Sequence, residues 1–156
     1  MANKDAPFGL KPVRMMGGAP YSGGQSRYRI ASGATTPIYN GDLVTQLTAG
    51  VLGRHAATGT VPIVGVFNGV SYTDPTTGEQ VFKNYYPGSI SASDIVANVI
   101  DDPNVVFEVQ ADAATLPLKA IDISEDPDND DVSSSNTNVL CVIQNHIMGQ
   151  KGAGLA

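Results

Sequence analysis

The chain has 156 residues, enough for one domain with a modest core and short for two. Charged residues make up 15% of it and the formal net charge is −6, which argues against a nucleic-acid partner, because phosphate binding needs clustered Lys and Arg to release counterions. The single Cys141 excludes an intrachain disulfide framework and, lying in an apolar run, reads as a small core residue. No stretch reaches the apolar length of a membrane span, and Met1-Ala2-Asn3-Lys4-Asp5 carries neither a signal-peptide core nor a myristoylation Gly. No membrane contact is expected, and the compartment is a cytosol-like one or the medium after lysis.

Residues 1–24 place Pro7, Pro12 and Pro20 among Gly9, Gly17, Gly18, Gly23 and Gly24, a spacing that forbids a helix and breaks long sheet ladders. An extended N-terminal arm is expected. Its Phe8, Leu10, Val13, Met15, Met16 and Tyr21 are too apolar for a solvated tail. Two readings stay open: a first strand packed on its own core, or a tether reaching a neighbouring subunit.

From Ser26 the chain reads as strand after strand. Segments 27–31 and 42–47 come first, then 63–72, where Val64, Val66, Val70 and Tyr72 are expected on one face while Gly65 and Gly69 permit a bend or close backbone approach. Segments 79–85 and 94–101 follow. Val105, Phe107, Val109 and Ala111 alternate with polar or outward residues, as do Val139, Cys141, Ile143, Asn145 and Ile147, giving the period of two of a half-buried sheet. Segment 118–124 lies between them. Asp74-Pro75, Asp102-Pro103 and Asp126-Pro127 each set an Asx acceptor before a ring that fixes the turn dihedral, so they mark strand ends. Residues 124–136 read as a solvated loop and residues 149–156 as a flexible C-terminal tail that frays or docks on a partner. The predicted fold is all-β: one small barrel or sandwich of short antiparallel strands over residues 25–148, with the arm before it and the tail after.

The residues that carry chemistry do not converge in the sequence. Gly18-Ala19-Pro20-Tyr21-Ser22-Gly23-Gly24 has two-glycine spacing but lacks the Lys and hydroxyl of a phosphate loop. Pro20 stands where a nucleophile elbow at Ser22 needs its first Gly. Cys141 and His146 lie an odd offset apart on one predicted strand and so face opposite ways, with His146 expected at the surface and His55 on a turn without fellow ligands. Asp126, Asp128 and Asp130 alternate like a calcium loop, yet Asp131 replaces its Gly and Thr137 its bidentate carboxylate, which excludes an EF-hand and leaves only a looser site in that loop. No catalytic residue, cofactor or metal is expected.

Met1-Ala2-Asn3-Lys4-Asp5-Ala6-Pro7-Phe8-Gly9-Leu10-Lys11-Pro12-Val13-Arg14 resembles the opening of small virion structural proteins, the head decoration or cement proteins, of tailed phages of aquatic bacteria. Tyr28-Arg29-Ile30-Ala31-Ser32, Gly41-Asp42-Leu43-Val44, Val64-Gly65-Val66-Phe67-Asn68-Gly69, Tyr72-Thr73-Asp74-Pro75-Thr76, Asn84-Tyr85-Tyr86-Pro87, Asp101-Asp102-Pro103, Phe107-Glu108-Val109-Gln110 and Asp122-Ile123-Ser124-Glu125-Asp126-Pro127 extend the likeness over nearly the whole chain. These motifs are corners and strands. One departure is a direct crossing through Ala113-Ala114-Thr115-Leu116-Pro117 where the family carries a longer segment.

The resemblance implies a non-enzymatic protein that seats on the outer surface of the major-capsid-protein shell, at quasi-threefold or twofold junctions, after synthesis in the host bacterial cytoplasm. A homo-oligomer is expected, a trimer ahead of a dimer. The candidate interface residues are Phe8, Leu10, Pro12 and Val13 as apolar anchors, Arg14 pairing to a shell carboxylate, and Tyr85 and Tyr86 at a rim, where one Tyr of the adjacent pair can instead be core. The alternative function is a carbohydrate-binding or host-attachment β-module of a phage head or tail fibre.

Overall fold

The structure, a computed structural model, describes residues 3–56, 61–111, 117–129 and 136–148. Its ten strands are β1 (Lys11–Met15), β2 (Ser26–Arg29), β3 (Leu43–Gln46), β4 (Leu52–Arg54), β5 (Ile63–Thr73), β6 (Gln80–Lys83), β7 (Val96–Ile100), β8 (Val105–Ala111), β9 (Leu118–Ile123) and β10 (Thr137–Ile143). They form two antiparallel sheets, one of four strands in the order β1-β8-β10-β9 and one of six in the order β2-β7-β5-β3-β4, with β6 also on β5. The fold is all-β, as the alternation and turn chemistry predict. No barrel closes among the described residues: the outer strands of the larger sheet meet only at a single Ile30–Leu52 bridge, so the sheet curls without a complete ladder.

Two apolar cores follow from this arrangement. Leu43, Ile63, Val66 and Ile100 of the larger sheet meet Val105, Phe107, Cys141 and Ile143 of the smaller one, forming a sandwich interior. The larger sheet's other face carries Val44, Val64, Phe67, Val70, Tyr72 and Val99, covered by Ile38, Tyr86, Ala92 and Ile95 from the segments beside it. The centre of the larger sheet is thus buried on both sides, and β5 is buried along almost its whole length.

The expected single face on β5 is not what forms. Val64 belongs to the covered-face core and Val66 to the sandwich interior. The register shifts opposite Val44 and Thr45 of β3, and again between Phe67 and Val70 opposite β7; each bulge adds a residue and reverses which neighbours share a face. The expected close approach does occur at Gly65, where a Cβ would overlap the Ile100 carbonyl oxygen.

All three Asp-Pro corners act through the Asp side chain. Asp74 Oδ1 accepts from the Thr76 and Thr77 amides at 2.7 and 3.3 Å and closes the β5–β6 hairpin. Asp102 Oδ1 accepts from the Asn104 amide at 2.8 Å in a corner that passes the chain from one sheet to the other. Asp126 Oδ1 accepts from the Asp128 amide at 3.1 Å and starts a short 3-10 turn, Pro127–Asn129. The loop holding that turn is not simply solvated. Asn129 is buried, and its amide donates to the Ser124 and Asn138 carbonyls at 2.8 and 2.9 Å while its Oδ1 accepts from the Asn138 amide and from Asn3 Nδ2. Asp130 and Asp131, the crossing through residues 113–116 and the tail 149–156 lie outside the described residues.

The N-terminal segment is part of the fold. Asn3 is tied to Asn129, and Gln110 grips the backbone by donating to the Lys4 carbonyl at 2.7 Å and accepting from the Ala6 amide at 3.1 Å. Gly9 then crosses Gly41 so closely that a Cβ on Gly41 would stand 2.6 Å from Gly9 Cα. Leu10 enters the sandwich interior, and β1 pairs with β8 from Lys11 to Met15. Of the two readings of residues 1–24, the strand packed on its own core is the one realised at Lys11–Met15. Pro12 is tolerated because β1 is an edge strand with a bulge at Val13.

Candidate functional site

The predicted interface residues separate into surface and core. Phe8, Val13 and, beyond the predicted set, Met16 expose 37%, 44% and 51% of their surface on the locked N-terminal segment. The bulge turns Val13 outward. Pro12 and Arg14 are half-buried, and the Arg14 backbone is bridged to Pro20, so the end of this edge is partly covered by the chain's own turn. Leu10 is no surface anchor: it is buried between the sheets because the Gly9–Gly41 crossing drives the next side chain inward. Phe8 flanks a cleft of about 330 Å³ that also reaches Gly41, Arg54, His55 and Val109.

Tyr85 and Tyr86 also part company. Tyr86 is wholly buried, donates its hydroxyl to the Ala34 carbonyl at 2.9 Å and bridges Ile38 through its backbone, so it belongs to the core and not to a rim. Tyr85 lies outside. Its ring stacks on Tyr39 with centroids 6.1 Å apart and planes 16° from parallel, and the Lys83 ammonium lies 5.7 Å from the Tyr85 ring centre. The residue after Tyr39 begins a row of exposed amides: Asn40 Nδ2 donates to Asn68 Oδ1 at 3.3 Å, and Asn68 Nδ2 donates to Gln25 Oε1 at 2.9 Å. Sequence reasoning missed Tyr39, Asn40, Asn68 and Gln25, which come from three separate segments. The one local signal is Asn68-Gly69 interrupting the most apolar run of the chain.

The titratable groups are set by burial and by local hydrogen bonds. Burial pushes the Cys141 thiol up to about 11, which leaves it an inert core group. Burial, and then the 2.7 Å hydrogen bond to Asp101, push the Tyr28 phenol up to about 12. Asp94 is held below the usual carboxylate range by the Thr73 hydroxyl at 2.6 Å and the Thr73 amide at 3.1 Å, a clamp on the end of β5.

His146 is buried, contrary to its expected surface position. β10 ends at Ile143, and the chain then crosses to the larger sheet, where Ile63 donates to the Asn145 carbonyl and accepts from the Ile147 amide. His146 Nδ1 accepts from the Met148 amide at 3.0 Å, while Nε2 is buried without a partner in hydrogen-bond geometry. Burial depresses its pKa, and Asp101 and Asp102 oppose that shift. His55 is buried as well, immediately after β4.

Among the described residues no group of three or more His, Cys, Asp or Glu side chains is placed to hold a metal ion, and no helix is long and apolar enough to cross a membrane. No family model, curated protein or solved structure matches this chain.

Proposed function

We infer that the protein is a capsid decoration (cement) protein of a tailed phage, binding the outside of the assembled major-capsid-protein shell and stabilising it without catalysis. The observation that carries this reading is the display of Phe8, Val13 and Met16 on a backbone already fixed by Asn129, Gln110 and the Gly9–Gly41 crossing. Apolar side chains held rigidly lose little freedom on docking, so a modest contact yields more of its binding energy. The sequence resemblance to virion cement proteins supports the same reading.

Because β1 is a strand of its own sheet, contact with the shell is made by side chains and not by lending the segment to a neighbour. A ligand that prefers assembled shell to free subunits opposes disassembly by mass action, and many copies make weak contacts sufficient. The net charge of −6 suits an outward-facing position better than contact with packaged DNA. A small homo-oligomer, a trimer before a dimer, matches the symmetry of the junctions such proteins occupy.

Co-sedimentation with expanded empty shells of the encoding phage tests the reading. The native chain is expected to pellet with shells, and the double variant Phe8→Ala, Val13→Asp to remain in the supernatant at unchanged melting temperature. Native protein left free beside shells at high concentration refutes it.

A further inference from the structure

The geometry points to a second binding site on the same molecule: the Tyr39–Tyr85 stack and the amide row of Asn40, Asn68 and Gln25 form a surface for a pyranose glycan. This site does not depend on contact with a capsid shell.

The argument begins inside β5. That strand is buried along its length except at Asn68 and at its last residue. The bulge between Phe67 and Val70 supplies the extra residue that turns Asn68 to solvent, and Gly69 beside it has φ 137°, a conformation that side-chain-bearing residues rarely adopt. Interrupting the ladder of a central strand sacrifices pairing and packing, and bulges in such places re-aim a side chain toward a working surface.

What Asn68 meets there is preorganised. It bridges Gln25 and Asn40, and the loop bearing Asn40 is itself fixed, with the Tyr39 amide donating to the Asp42 carboxylate at 2.9 Å and the Gly41 amide to the Phe67 carbonyl at 2.9 Å. Each amide has two N–H donors and two acceptor lone pairs. The two internal bonds therefore leave most of this capacity on exposed groups.

A pyranose ring offers hydroxyls that both donate and accept, together with a patch of C–H bonds. Amides in a row answer the hydroxyls, and Tyr39, the residue before Asn40 and 52% exposed, answers the C–H patch. A protein partner is less well matched, because a stable protein interface needs a desolvated apolar centre and these five residues include no aliphatic side chain. Nucleic acid also stacks on aromatic rings, but its phosphates meet an acidic chain here, with Lys83 as the cation beside the rings.

The test applies the full-length chain to an array of neutral and acidic bacterial-type oligosaccharides, and then titrates the retained oligosaccharide by calorimetry. Tyr39→Ala is expected to weaken binding roughly tenfold, the scale of one lost aromatic contact with its ordering, and Tyr39→Phe to retain it. Asn68→Ala should weaken binding at an unchanged melting temperature; if that variant unfolds, Gln25→Ala serves in its place. Retention of no oligosaccharide, or binding indifferent to Tyr39→Ala, overturns the proposal. So does a Tyr39-dependent loss of shell co-sedimentation without any glycan binding, which assigns the surface to a protein contact. Loss of the Phe8 and Val13 effect on shells leaves this site untouched, so the two readings fail separately.

Discussion

β1 and β9 are the two outer strands of the same four-stranded sheet, yet they are held in different ways. β1 has a proline, a bulge and one partner strand, but its flanks are tied by Asn3, Gln110 and the Gly9–Gly41 crossing, and Leu10 anchors it in the interior. β9 carries Lys119 and Asp122 among its apolar residues and pairs with β10 over most of its length, yet all but its first residue are exposed, Ile121 and Ile123 among them. Irregular β1 is integrated by contacts outside its ladder, whereas β9 relies on its ladder. A bulge in the β9–β10 pairing also twists that edge away from regular pairing with another chain. Asn129 joins the two edges, since it holds Asn3 on one side and the Ser124 carbonyl just past β9 on the other.

The largest expected effect breaks the β1 side. Gly41→Ala sets a methyl against the Gly9 backbone at φ 89°, and neither chain can yield without withdrawing Leu10. A loss of roughly 3–5 kcal/mol in denaturant unfolding is expected, the range of a strained backbone combined with a damaged core. Asn129→Ala tests the joint between the edges. It removes the hydrogen bond to the Asn3 side chain together with those to the Ser124 carbonyl and the Asn138 amide, and should cost about 2–4 kcal/mol, with hydrogen-exchange protection falling at residues 3–6 and 136–138 together. Loss of protection on one side alone shows that the edges are independent.

A smaller effect is read by pH at the crossing that follows β10. Burial holds the His146 pKa in the fold below its ordinary 6.5, so the unfolded chain binds more protons as pH drops beneath that value. Stability is expected to be level from pH 6.5 to 9.0, above which the buried Cys141 thiol opposes ionisation, to fall as pH drops below 6.5, and to fall again below 3.8, where Asp94 and Asp74 lose hydrogen bonds that favour their charged forms. His146→Gln should flatten the first decline and leave the second. The smallest effect is on β9. Ile121→Ser removes an exposed side chain and should change stability by less than about 0.5 kcal/mol; a larger loss shows that this edge is covered in solution, which an increase in sedimentation coefficient of the native chain checks.

Several features were legible along the chain because their causes are local. Eight of the ten strands fall on stretches read as strands, β8 and β10 from their alternation, and each Asp-Pro corner is made by the hydrogen bonds that its residues imply. Three-residue β4 has too little sequence for a period to show. Asn129 looked like one more polar residue in an acidic loop, and His146 like the outward member of an alternating strand. Their burial depends on segments distant in sequence. Of the interface set Leu10 lies in the core, and Tyr86 is the core member of its pair, for a related reason: apolar character identifies residues that must be covered, but not whether the cover is the chain's own or a partner's.

The sequence by itself determined the all-β class, the turn positions and the acidic, lightly charged surface, since backbone dihedral preference, side-chain period and net charge are properties of short windows or of composition. Tertiary structure decided which face each β5 residue takes, that the N-terminal segment is locked, and that Asn40, Asn68 and Gln25 lie side by side. A single bulge reverses the parity of everything after it, and whether one forms depends on the register of the strand opposite.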